Sequence, residues 1–232
     1  MVETPPNPAD RTMRYRDAIP INLFQSTPVV VVGLGAIGRP LALTLAQMGV
    51  QTLHLFDGDT VEHLNLGPQG FRPDNVGEIK SCAVRREAIA INPDPNNRHN
   101  AYEHWTVDDG ILDRATGTFA PNTPIFSCVD SMEVRKQLFD AYPTQPFFDC
   151  RMGAKSLHVW SATDLRSRDA YAKGWFPDSE SEPVPCTARS TAYCAQIAAG
   201  FALSNYVQML SGDRPPAHLT LNIPDLTLKV TD

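Results

Sequence analysis

The chain has 232 residues, 42% of them hydrophobic, which fits one large α/β domain. Its net charge is −6 and it has no basic run, so nucleic acid is not an expected partner. No apolar run approaches the ~20 residues that cross a bilayer, so no membrane span is expected.

The N-terminus, Met1-Val-Glu-Thr-Pro-Pro-Asn-Pro8, has no apolar signal core. Residues 1–12 read as a flexible tail ahead of a single domain over 13–232, and the expected compartment is the cytoplasm. Residues 11–17 predict a short basic helix. Val29-Val-Val-Val-Gly33-Leu-Gly35-Ala-Ile-Gly38 then places a buried strand over 28–32 ahead of glycines at G-x-G-x-x-G spacing. A helix over 38–48 follows and stops at Gly49. In such a turn Gly33 permits the reversal and Gly35 lets backbone approach a phosphate. Gly38 lets the helix lie close to the strand.

The strand over 51–56 ends in Asp57-Gly-Asp59. An acidic residue about 20 positions past the glycines is placed to bind a ribose hydroxyl. A polar loop leads to a helix over 77–91, stopped at Asn92-Pro93. Residues 100–105 predict a strand, 107–115 a short helix and 124–128 a buried strand. A helix over 131–142 stops at Pro143, and 147–150 is another strand. Residues 155–162 mix Leu157, Val159 and Trp160 with polar residues, as an antiparallel strand does. Residues 163–185, rich in Ser, Asp, Glu and Pro, predict a long loop. A small-residue helix over 188–210 and an alternating tail over 217–230 complete the chain. The fold class is α/β: a Rossmann-like, mostly parallel sheet flanked by helices and extended by antiparallel C-terminal strands.

The order of polar residues narrows the function. After the glycines come Asp57, then Asn65-Leu66-Gly-Pro-Gln69, then Gly77-Glu-Ile-Lys80, and later Asp130 followed by Arg135. This order resembles the ThiF/MoeB/HesA family and the adenylation domains of ubiquitin-activating enzymes, over roughly residues 14 to 212. The resemblance implies ATP and magnesium as cofactors. The implied partner is a ubiquitin-like β-grasp protein, a sulfur-carrier protein or a peptide. The implied chemistry is adenylation of its C-terminal carboxylate, then transfer to a thiol. Many relatives hold a structural zinc with paired Cys-x-x-Cys motifs. This chain has five cysteines and no such pair, so neither that zinc nor a disulfide framework is expected.

The resemblance also assigns residues. Gly33, Gly35 and Gly38 offer amides to phosphate, and Asp57 accepts from the ribose. A helix or turn cap is the alternative for Asp57. Asp130 follows a buried strand and would hold magnesium; a helix N-cap is the alternative. Lys80 would reach the phosphates, or stand solvated on its helix. Asn65 and Gln69 would bond nucleotide or phosphate, although Asn65 also suits a turn.

Pro68 occupies the position of a family arginine; Arg72, four residues later, could swing into that space, and so could Arg39, which begins the first helix after the glycines. Arg14-Tyr-Arg16 resembles a motif that lends an arginine across a homodimer interface, with Arg16 the candidate. Cys186 lies where relatives place a reactive cysteine, before the 188–210 helix. There the helix dipole would favour its thiolate, and Arg189 is near enough in sequence to help. An unreactive cysteine is the alternative. Cys194 reads as a packed helix residue, and Cys82, Cys128 and Cys150 as core. Two other functions fit the glycine motif: an NAD(P)-dependent oxidoreductase, and a scaffold that keeps the fold without catalysis.

Overall fold

The computed structural model describes residues 11–103, 119–153, 155–180 and 190–232. Four consecutive valines form β1 (Val29–Val32), buried at every position, as a central parallel strand requires. Helix α1 (Ile21–Ser26) precedes it, and α2 (Gly38–Gln47) follows the glycine turn. Next come β2 (Thr52–Phe56), the single turn α3 (Leu66–Gln69) and α4 (Lys80–Ile91). Strands β3 (Arg98–Tyr102) and β4 (Ile125–Ser127) lead to α5 (Met132–Ala141). The rest comprises β5 (Phe147–Gly153), β6 (Ser156–Ala162), α6 (Leu165–Lys173), α7 (Ala192–Leu210), β7 (His218–Asn222) and β8 (Thr227–Thr231).

The strands form one sheet in the order β3-β2-β1-β4-β5-β6-β7-β8. The pairs from β3 to β5 are parallel and those from β5 to β8 antiparallel. This is the mixed sheet the pattern predicts. One face carries the larger core, with Val29 and Val31 packed beneath α2, α4 and α7. The other face buries Val30, Val32, Phe147 and Trp160 with Leu138 and Phe139 of α5 and Tyr171 of α6. Strand order reverses on either side of β1, where chain leaves for β2 on one side and arrives from β3 at β4 on the other. A crevice at such a reversal is where open α/β sheets bind ligands.

Several expectations need correction. The predicted loop over 163–185 contains helix α6 and a 3-10 turn, Asp178–Glu180. Asp164 and Ser167 cap α6 reciprocally, with Ser167 N donating to Asp164 Oδ1 at 2.7 Å. Residues 11–17 are mostly turns, with Tyr15 N and Arg16 N both donating to Thr12 O. The 77–91 helix begins only at Lys80, because Gly77 has φ +88 and 77–80 folds back along 59–61. The last helix begins at Ala192, with Thr191 as its N-cap. The helix expected over 107–115 and most of the N-terminal tail lie outside the described residues.

Candidate active site

The glycine turn is built by close backbone contact. Gly33, at φ +84, donates its N–H to Phe56 O at 2.8 Å, and a Cβ there would sit 2.8 Å from Cys128 O and 2.9 Å from Val129 N. The turn after β1 and the chain leaving β4 therefore touch. Gly38 lies so near Gly33 that a Cβ would fall 1.8 Å from the Gly33 oxygen. Gly35 differs: a Cβ would meet only the Gln69 amide, at 3.8–3.9 Å. The space above Gly35 is the opening through which backbone can approach a ligand.

Asp57 locks the turn to the end of β2. Its Oδ2 accepts from Leu34 N at 2.7 Å and its Oδ1 from Asp59 N at 2.9 Å. Burial, with only 7% exposed, raises its pKa, and the Leu34 N–H and the nearby Lys80 partly oppose this. Each carboxylate oxygen keeps a second lone pair, so the group can still accept from a ribose hydroxyl. The turn-capping alternative is thus real, and it leaves lone pairs for the expected ribose role.

Lys80 is brought here by the fold-back of the polar loop. Val61 N donates to Glu78 O and Lys80 N to Asp59 O, both at 2.8 Å. Lys80 is 6% exposed, which removes the reading of a solvated helix lysine. Its ammonium donates to Asp59 Oδ2 at 2.8 Å. Asp59, not assigned a role from sequence, is therefore the lysine's anchor. The Asp57-Gly-Asp59 spacing was the available signal.

Asn65 serves the local turn: its Oδ1 accepts from Glu62 N at 2.9 Å, leaving its NH2 for other use. Gln69 lies over Gly35, and its Oε1 is buried without a hydrogen-bond partner among the described residues. Buried polar atoms are seldom left unpaired, so this oxygen marks a place for a donor.

Neither candidate replacement for the arginine missing at Pro68 is free. Arg39 pairs with Glu87, donates to Gln69 O at 3.4 Å and lies over the Phe71 ring. Arg72 donates to Asp74 through Nε at 3.0 Å. Arg39 instead braces the loop that carries Gln69.

Asp130 is exposed just beyond β4, beside the glycine turn. The cap of α5 is its neighbour Ser131, whose hydroxyl accepts from Val134 N at 3.3 Å. The cap alternative for Asp130 therefore fails, and its carboxylate is uncommitted to that helix. Among the described residues no group of three or more His, Cys, Asp or Glu could hold a metal. A single carboxylate suffices for magnesium where phosphates and water supply the other oxygens. Glycine amides, Asp57, Lys80, Gln69 and Asp130 thus fit ATP with magnesium.

Arg16 is exposed, with its Nε 3.8 Å from the Asp17 carboxylate. Cys186 and Arg189 lie outside the described residues. Cys194 and Cys150 are buried, and burial raises the Cys194 thiol. Cys82 and Cys128 are only half-buried, and Cys82 donates to Glu103 Oε1 at 3.2 Å.

Sequence reasoning gave Arg135 no role of its own and missed Asp149. Arg135 pairs with buried Asp149 and donates to Val129 O, the carbonyl next to Asp130. An aspartate inside the apolar run Phe147-Phe-Asp-Cys150 was the signal: such a charge needs a cation.

The chain is 32% identical over 146 residues to ubiquitin-like modifier-activating enzyme 5 of Dictyostelium discoideum, covering 58% of this chain and 38% of that protein. It is 47% identical over 73 residues to adenylyltransferase and sulfurtransferase uba4 of Aspergillus clavatus, covering 31% of this chain and 15% of that protein. The matched regions are thus well under half the length of these relatives. In fold it is similar to E. coli MccB crystallised with AMPCPP and MccA, at TM-score 0.73 and 16% identity, covering 97% of this chain and 72% of that one. The ThiF family pattern matches residues 21–230, nearly the whole chain, and the protein belongs to the ThiF family.

Proposed function

We propose that the protein uses ATP and magnesium to adenylate the C-terminal carboxylate of a ubiquitin-like or sulfur-carrier protein, or of a peptide. The acyl group would then pass to a thiol, Cys186 first. A carboxylate does not react with a thiol at neutral pH, because oxide is a poor leaving group; joining it to AMP supplies a better one. The site must hold the nucleotide, balance its charge and admit the carboxylate in line.

One observation carries the reading. Asp57, Lys80, Gln69 and Asp130 surround a single glycine turn at the reversal of the sheet. A nicotinamide enzyme has no use for that lysine and that second aspartate. The turn amides would hold phosphate, Asp57 the ribose, and the Gln69 amide would close over the opening at Gly35. Lys80, kept in place by Asp59, would act as a fixed point charge. Asp130 would hold magnesium, which supplies positive charge to the phosphates. Arg16 would act from a second copy in a homodimer, in the cytoplasm.

The test is ATP–pyrophosphate exchange with candidate carriers, each with and without its terminal glycine. Exchange should need the intact carrier end and be lost in Asp130→Ala. Cys186→Ala should keep exchange and lose any thiol-sensitive adduct. The pairing of both Arg39 and Arg72 favours one other reading, a scaffold without catalysis. Carrier binding with no exchange under any condition would select it.

A further inference from the structure

The proposed reaction leaves a buried charge cluster unexplained. Asp149 of β5 is fully buried. Arg135 pairs with one of its oxygens, and Arg151 Nε donates to the other at 2.6 Å. The Tyr171 hydroxyl donates to that same Oδ2 at 2.9 Å. The two arginine side chains are only 6% and 12% exposed.

Two cations thus face one anion, and one positive charge is uncompensated among the described residues. His158 and His218, 3.2 Å apart on the same face, do not change this sum. Burial, with help from Arg151, holds both toward the neutral form. The surplus also shows as orphaned donors: Arg151 Nη2 and Arg135 Nε are buried without a hydrogen-bond partner among the described residues. A protein interior keeps such a charge only at a cost, so a site that persists with it invites an anion.

Position says which anion. Arg151 lies toward the C-terminal end of β5, parallel to β4 and so at the edge where Asp130 emerges. Arg135 ties the two together, holding both Asp149 and the Val129 carbonyl. The Arg151 guanidinium lies over three rings, those of Trp160, Tyr171 and Phe176, at 5.9, 5.6 and 5.8 Å. Trp160 and Tyr171 are buried, whereas Phe176 is 37% exposed. The solvent side of the guanidinium is therefore the Phe176 side.

We propose that Arg151 receives the substrate's terminal carboxylate. The incoming group would displace the Phe176 ring, pair with Nη2 and complete the charge balance beside Asp130. No bond is made or broken in this step. Arginine suits it, because Nε can stay on Asp149 while the far edge of the same planar group binds a second carboxylate. The inference rests on the adenylation reading and adds its carboxylate subsite.

The test uses a hexapeptide ending in Gly-Gly, as free acid and as C-terminal amide, titrated with AMPCPP and magnesium present. Wild type should bind the acid at least tenfold tighter than the amide. Arg151→Gln should bring that ratio near one, and Arg151→Lys should keep part of it. Arg151→Gln leaves Asp149 and Arg135 one to one, so it should melt close to wild type. Phe176→Ala changes no charge and should tighten acid more than amide.

An acid preference unchanged in Arg151→Gln, or equal effects of Phe176→Ala on both peptides, overturns the proposal. Exchange separates it from the reading it rests on. If wild type exchanges and its KM for carrier is unchanged in Arg151→Gln, this subsite is wrong and adenylation stands. If no carrier supports exchange but the acid preference needs Arg151, the reverse holds.

Discussion

Alanine at Gly38 and at Gly35 should damage different properties. At Gly38 the new Cβ would lie 1.8 Å from Gly33 O and 3.2 Å from Cys128 Cβ. That oxygen cannot swing aside as a side chain can. Gly33 N is bonded to Phe56 O and Cys128 N to Val32 O, each at 2.8 Å. Helix α2 must therefore lift from β1. Overpacking of this kind costs ~1–3 kcal/mol, or about 2–12 °C in melting temperature for a domain of this size. At Gly35 the Cβ meets only the Gln69 amide at ordinary contact distance, so Gly35→Ala should melt within ~2 °C of wild type. It nevertheless fills the opening above the turn. Nucleotide at about 100 times its Kd stabilises the wild type by ~2.7 kcal/mol, and Gly35→Ala should lose that gain. Scanning calorimetry with and without ATP and magnesium reads both effects. A full ATP shift in Gly35→Ala would refute the phosphate role of the turn. An unchanged melting temperature in Gly38→Ala would refute the helix–strand contact.

Three further outcomes are expected. Asp149→Asn leaves two buried guanidinium groups without their carboxylate and should cost ~3–5 kcal/mol in urea unfolding; a wild-type midpoint would show that the cluster tolerates its loss. His99 and His218 are both pushed down to about 4, by burial first and then by neighbouring positive charge. The unfolded chain therefore takes up protons first, so stability present above the ordinary histidine pKa of about 6.5 should fall as pH drops toward 4. His99→Asn should flatten the slope between roughly pH 6.5 and 5, and an unaltered slope would contradict this. Pro68→Arg restores a cation on α3 and should tighten ATP roughly fivefold at low salt, less at high salt. Unchanged or weaker binding would show that α3 does not face the phosphates.

What could be read from the sequence was whatever short-range pattern decides. Four valines followed by spaced glycines dictate strand, turn and helix within a few residues. The alternation survives at the start of β6 and in β7, where one face is buried, while the second half of β6 is buried on both faces. Helix α6 escaped notice because it is polar: only Ser167 and Tyr171 are buried, so no apolar period announces it. Helix α1 has six residues and one buried side chain, Phe24, and is held by tertiary contact rather than by local preference.

The site was legible as residue types and illegible as pairings. Arg39, Arg72 and Lys80 each look like a cation available to phosphate, and each is bound to a carboxylate: Glu87, Asp74 and Asp59. These partners stand 48, 2 and 21 residues away in the chain, so only the pairing of Arg72 was open to local reading. Pairing changes the chemistry expected of the site. Asp57 and Asp59 together outweigh Lys80, so the rim of the glycine turn is short of positive charge by itself. A polyanionic nucleotide bound there needs cations from elsewhere. The adenylation reading supplies two, a magnesium ion on Asp130 and an arginine from a second copy. ATP affinity should therefore depend steeply on both, whereas a site with its own free arginine would bind nucleotide without either.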